Sequence, residues 1–484
     1  MAQHHHQSDP DQQGDQQGNA PNGNEDGGDL MGPPPPPPLP PVPPLPPGPP
    51  TIPADFTAFV NSLPGSFVQA FEAAAPGGMA WSPLVLTSAP YDIYPVTGPT
   101  ALFADIATPQ AAPIVLSGND LVGLINDGAA PVTVVDTAAP YQYIATGTGG
   151  MTLFAEANNG AFVAEGGTNT IVLSASQKGS WSIDLAGGTN RVWEGGGNNT
   201  VYTSATSSNT IVFGSGNDLA VSAGQDLFIG GAGNDTISAT GNNDSVLGGS
   251  GTMSFINAST VAGAQHTLIF AGSGMATVDG GAGSVTVVGG SGGGTFFGGS
   301  AGDNVMFGGT GPVTLVGGGS GDLIVGGPTG GDQLVAGSGN ETLVAGAGGN
   351  NVMWGGTGND VMVLNGGNNT VMGGSGGSDQ IWAGSGSTLI DANAASVMVV
   401  AGAGGMTTVQ AGAGSDVFTF INGQAGGSSV IDNFNTATDS LNLVGYAANS
   451  DTVTTGGGST MITLADKTQI TLVGVTHLPA SAIV

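Results

Sequence analysis

The chain has 484 residues, no cysteine, 90 glycines, and 34 acidic against 3 basic side chains, a formal net charge of −31. Disulfides and thiolate metal sites are excluded, and three bases (Lys178, Arg191, Lys467) make no patch for nucleic acid or an anionic membrane surface. The acidity points to cations as partners, beyond its ordinary part in solubility, and no apolar run is long enough for a transmembrane helix.

Residues 1–53 read as a tail and a spacer. The first 31 are polar and acidic, expected to be disordered, and lack the basic and apolar regions of a cleaved signal peptide. His4, His5 and His6 read as a solvated tract rather than a metal site. Residues 32–53, "GPPPPPPLPPVPPLPPGPPTIP", should form polyproline II, a semi-rigid spacer of roughly 65 Å at about 3.1 Å per residue. Docking to a proline-reading domain is the alternative. Residues 54–150 read as an N-terminal cap. Phe56, Phe59, Val60 and Leu63, then Phe67, Val68 and Phe71 after Pro64, fit two short amphipathic helices. Short β-like runs broken by Pro and Gly follow from about residue 84.

From 151 to 416 the chain repeats: "GGTNTIVL", "GGTNRVWE", "GGNNTVYT", "SSNTIVFG", "GAGNDTIS". Alternating apolar residues followed by Gly and Asn make a strand–turn rhythm. Nine or ten residues per half-coil, and so about 18–20 per coil, is the period of a β-solenoid. The expected fold is all-β, a parallel β-solenoid or β-roll. From 417 to 484 the glycine thins and longer β segments appear, read as a C-terminal cap.

The stretch "GGAGNDTIS", residues 230–238, shows what the turns are for. Gly230, Gly231 and Gly233 permit tight turns and close approach of carbonyl oxygens; Asp235 adds a carboxylate; Ile237 points inward from the strand that follows. Converging carbonyls and carboxylates are what Ca²⁺ requires, since it takes six to eight oxygens. Asp226, Asp235 and Asp244 step by nine, so Asp226 and Asp244 are one coil apart and Asp235 falls on the opposite edge. Asp218 lies 17 residues before Asp235, slightly out of phase. "GGTGNDVMV" supplies Gly355, Gly356, Gly358 and Asp360, and "AGAGSDVFT" supplies Asp416. Between 297 and 391 a 19-residue frame aligns Asp303, Asp322, Glu341, Asp360 and Asp379, with Val305, Ile324, Leu343, Met362 and Ile381 two positions later. The opposite strand gives Leu315, Leu334, Met353 and Met372, and a further column reads Phe297, Val316, Val335 and Trp354. Cations between the acids, or a solvated acid face, are the two readings of that row. Before residue 214 the turn position is mostly Asn (Asn169, Asn190, Asn199, Asn209), which suits stacked amide hydrogen bonds rather than metal.

These nonapeptides resemble the RTX family of hemolysin-type calcium-binding repeats. The resemblance implies nonapeptides alternating between the two sides of a parallel β-roll, with calcium shared between turns one coil apart. Several half-coils depart from it, with Met253 and Val313 where the aspartate belongs. The C-terminal stretch from "SSVIDNFNTATDSLNLVGY" onward is similar to the end of type I secreted RTX proteins, which implies an uncleaved C-terminal secretion signal and export from a bacterium.

No H-E-x-x-H motif is present, and "GGSGG" at 289–293 and 373–377 matches a nucleophile elbow only as glycine–serine richness allows. No catalytic residue is assigned. Trp181, Trp193, Trp354 and Trp382 are the side chains suited to stacking on sugars, with Trp354 expected inside. The expectation is a secreted calcium-binding structural solenoid of a matrix, surface layer or adhesin, its partners calcium and either itself or cell-surface polysaccharide. The alternatives are a polysaccharide-acting enzyme or carbohydrate-binding module, and a subunit that stacks end to end into filaments.

Overall fold

The computed structural model describes residues 80–85, 92–93, 100–106, 113–116, 122–126, 128–136, 142–156, 159–241, 243–261, 266–393, 396–424, 427–448 and 450–484, all within the unit Pro41–Val484. The tail, the spacer and the two helices expected between residues 1 and 75 lie outside them. Each short alternating run between glycine-rich turns becomes a strand of two to six residues, and one 3₁₀ turn at Ala480–Ala482 is the only helical element among the described residues.

Successive strands alternate between two sheets. Trp181–Leu185 pairs in parallel with Thr200–Thr203, while the intervening Thr189–Trp193 pairs in the other sheet with Ser208–Val212. Repeated along the chain, this builds a first sheet of 22 strands and a second of 19. The second does not close on itself: among the described residues Asp92–Ile93 pairs only with Ile114–Leu116, and Ser440–Val444 pairs with Val417–Ile421 and on its other side meets only the single bridge Leu441–Ile483. Inward side chains stack into one column per sheet. Ile183, Val201, Ala220, Ile237 and Phe255 face Ile171, Val192, Ile211, Phe228 and Val246, all at most 1% exposed. Full burial of each Ile, Val or Phe contributes about 1.5–3 kcal/mol.

Coil length varies while register holds. Ala220 to Ile237 is 17 residues, and Phe255 to Val278 is 23, the excess lying in turns. This corrects the fixed 19-residue frame. Met306, not Val305, heads the inward column of Ile324, Leu343, Met362 and Ile381. Val371, not Met372, follows Leu315, Leu334 and Met353. Both coils are 18 residues long, and a slip of one residue turns a side chain to the opposite face. Phe297, Val316, Val335 and Trp354 do stack, but on the outer side; among the tryptophans whose burial is described, Trp181 is the buried one and Trp354 is half-exposed.

The ladders begin within the stretch read as a cap, since Ala80–Val85 already pairs with Thr100–Asp105. At the other end Gln469–Leu472 adds a last parallel strand beside Ser428–Asp432. Ser459–Thr463 then runs antiparallel to it and Thr452–Gly456 antiparallel again, so the parallel stack cannot continue and its edge is covered.

Candidate metal centre

The inward-facing residue two positions ahead of each strand's central apolar residue is buried and, through most of the stack, polar. In the second sheet this row runs Asn169, Asn190, Asn209, Asp226, Asp244, is interrupted by Thr267 and Val285, and resumes as Asn304, Asp322, Glu341, Asp360, Asp379, then Val397, Asp416 and Asp439. In the first sheet Asn199, Asp218 and Asp235 form one polar run, and Asp332, Asn351 and Asn369 another. Asp218 is therefore in register with Asp235, its 17-residue spacing absorbed by a short turn, and Asp235 lies on the other row from Asp226 and Asp244. Asp303 falls outside the row, because Asn304 takes the place. Asp303 is exposed with φ of 53°, the left-handed turn position that Gly321 (φ 90°) fills one coil on.

Most of the aspartates make the same two-sided clamp. One carboxylate oxygen accepts the backbone N–H of the row residue one coil earlier, and the other accepts an N–H four or five residues back in its own turn. Asp218, Asp322, Asp332, Asp360, Asp379, Asp416 and Asp439 all do this, at 2.6–3.1 Å. Asp226 is clamped to Asn209 and takes hydroxyls from Thr203 and Ser222 on its other oxygen. Each clamp satisfies a buried N–H and ties two coils together.

Where amides fill the row they pass hydrogen bonds along it. Asn169 Nδ2 donates to Asn190 Oδ1, Asn190 Nδ2 to Asn209 Oδ1, and Asn209 Nδ2 to Asp226 Oδ1, each at 2.7 Å. A carboxylate has no such proton to pass on. Where acids adjoin, oxygens are left over: Asp235 Oδ1, Asp244 Oδ2 and both oxygens of Glu341 are buried with no donor in reach. Burial raises the carboxyl of Asp244 to about 7, with the charge of Asp226 adding to it. Burial raises Asp235 to about 6, with Asp218 adding. Glu341, between Asp322 and Asp360, is pushed up by burial and by both neighbours. Asp379 and Asp416 rise through burial, then through Asp360 and Asp439 respectively.

The turns bring backbone oxygens to the same places. A Cβ on Gly231 or Gly233 would run into the carbonyl oxygen of Gly214 or Gly216, and one on Gly356 or Gly358 into that of Gly337 or Gly339. At Gly230 and Gly355 it would meet the amides of Gly249 and Gly374. Only glycine lets consecutive turns stack this closely. Among the described residues no three acidic or histidine side chains converge on one point. A cation at these edges would thus take carboxylates from neighbouring coils and complete its shell with turn carbonyls, a hard all-oxygen donor set suited to Ca²⁺. The orphaned oxygens and crowded carbonyls fit that ion. Sequence reasoning missed Asp332 and Asp439, and also Glu194, whose two buried oxygens lack a donor and whose carboxyl rises well above its ordinary value through burial and then Asp218 and Asp235.

Fold and edges together define a β-roll with acidic, glycine-stacked turns. A model of the RTX calcium-binding nonapeptide repeat matches four copies within it, at residues 222–252, 298–328, 329–349 and 346–377. RTX nonapeptide repeats bind calcium ions. The copies contain Asp226, Asp235, Asp244, Asp322, Glu341 and Asp360, while Asp218, Asp379 and Asp416 lie outside them. Comparison with curated proteins gives no match.

Proposed function

We propose that the chain is a secreted structural protein, a calcium-stiffened rod that serves in an extracellular matrix, a surface layer or an adhesin. The observation that carries this reading is the pair of buried acid rows. Stacked buried carboxylates, several with an oxygen that no donor reaches, oppose folding in the absence of a cation and support it once one binds, so the rod is set by the calcium of its surroundings. Millimolar calcium outside a cell suits that coupling, and the uncleaved C-terminal end similar to type I secreted proteins supplies a route there. No catalytic step is assigned to it. The test is thermal unfolding of the full chain by circular dichroism with and without millimolar calcium. An upward shift supports the reading; an unmoved midpoint on a metal-free rod already folded rejects calcium coupling.

One observation favours a second reading, recognition of extracellular polysaccharide. Trp193 and Trp382 are exposed on one sheet face, with Arg191 two residues from Trp193 on the same side. Glycan-array binding lost in Trp193→Ala and Trp382→Ala would move the function there.

A further inference from the structure

The outer side of the second sheet is a long apolar face. In one outward column Phe154, Trp193, Leu247, Phe270, Phe307 and Trp382 are 37–43% exposed. Between them stand only Val and Ile, in unbroken register over thirteen rungs. The neighbouring outward column mixes Leu227, Leu268, Val305, Leu323 and Val361 with threonines, Ser245, Arg191 and Gln380. From Thr133 to Asn442 neither column holds an acid, and the single charge is Arg191. The chain carries 34 acids, and the outer side of the first sheet has its share in Asp184, Asp279, Asp391 and Asp432.

We propose that this face seats a second copy of the chain, packed sheet to sheet with the two rods antiparallel. Three observations select that occupant. The first is area. At about 4.8 Å per rung and two side-chain columns about 10 Å wide, the thirteen rungs span about 600 Å², before side-chain relief. That is at the upper end of the patch a monomer usually exposes and approaches the roughly 800 Å² per partner of a stable interface. The second is charge. Two chains of net charge −31 repel wherever their acids meet, and this face is where each is free of acids. A basic partner would gather at the acid-bearing surfaces instead. The third is the placing of the aromatics. Trp193 and Trp382 lie five rungs on either side of Val288, and Phe270 and Phe307 one rung on either side. A twofold axis along the strand direction at Val288 sets Trp193 against Trp382 of the second copy, and Phe270 against its Phe307. Such an isologous contact closes on itself and stops at two. The inference does not rest on calcium binding or on secretion.

The test uses the full chain. Sedimentation across a concentration series should show a dimer, and Phe270→Lys with Phe307→Lys should raise its dissociation constant at least tenfold with the circular dichroism spectrum unchanged. Because the chain has no cysteine, Arg191→Cys and Gln380→Cys supply single thiols at positions that face each other in the antiparallel pair. Mixed and oxidised, the two variants should cross-link to each other, and neither to itself. A monomer at every concentration overturns the proposal and leaves residues 54–75 or a sugar chain as the cover of the face. A dimer indifferent to both lysines places the interface elsewhere, and self-linking of Arg191→Cys alone overturns the antiparallel arrangement.

Discussion

Asp244→Asn is the sharpest test of what the acid rows cost. Asp244 Oδ1 accepts the N–H of Asp226 at 2.9 Å while its Oδ2 is buried without a donor. Burial, with the charge of Asp226, raises its carboxyl from 3.8 to about 7. At about 1.4 kcal/mol per pH unit, the ionised form costs the metal-free fold about 4 kcal/mol. Because the folded-state pKa lies above the unfolded one, this penalty is absent below about pH 4, grows through the window between the two, and is complete above about pH 7. The amide keeps the bond to Asp226 and carries no charge, and Asn209 and Asn304 show that this row accommodates it. Metal-free Asp244→Asn should therefore match wild type near pH 4 and exceed it by about 2–4 kcal/mol at pH 8, read from urea unfolding followed by circular dichroism. With calcium present the advantage should vanish, because the variant has lost a ligand. Parallel pH profiles for the two metal-free proteins would refute the reasoning.

Asn190→Ala removes the middle of the amide ladder and should cost about 1–3 kcal/mol with or without calcium, since no acid is involved; a calcium-dependent loss would contradict the ladder reading. Gly233→Ala should lower calcium stoichiometry by isothermal titration, because its Cβ collides with the carbonyl of Gly216, and an unchanged count would show that the turn tolerates a side chain. Phe228→Ala should cost about 3–5 kcal/mol through the cavity it leaves against Phe213, whose ring stacks on it at 6.1 Å. Fusing residues 425–484 to a folded reporter should confer export in cells with a type I exporter, and retention of the reporter inside would remove that route.

The fold was legible because turn and strand write different signatures: "GGAGNDTIS" carries its turn, its acid and its inward Ile237 in nine residues. Register was less legible. A one-residue change in turn length leaves the composition of a coil unchanged yet exchanges Met306 for Val305 and Asn304 for Asp303, and only the pairing of neighbouring strands decides between them. Asp332 did leave a signal, since "GGDQLV" has the glycine, acid and alternating apolar order at the opposite edge. Asp439 left almost none, as its turn "NFNTATD" contains no glycine. The coils before residue 150 were hidden because proline and alanine interrupt the Gly–Asn punctuation there. The acid-free face was invisible until the strands were in register, because its residues lie about 19 apart in the chain.

Every interstrand clamp reaches backward: the donor belongs to the coil before the acid, never to the coil after it. The stack therefore has an arrow. Its leading coil displays an N–H, a socket that the Asp or Asn of the next coil plugs as acceptor, and where Val285 or Val397 takes the place no side-chain acceptor is supplied. As the chain is made from its N-terminus, a finished coil favours Asp or Asn at one position of its successor. The sequence also holds the instruction to stop. Asp439, the last acid of the second row, turns its own N–H back onto Asn435 O at 2.8 Å, so the final coil presents no socket.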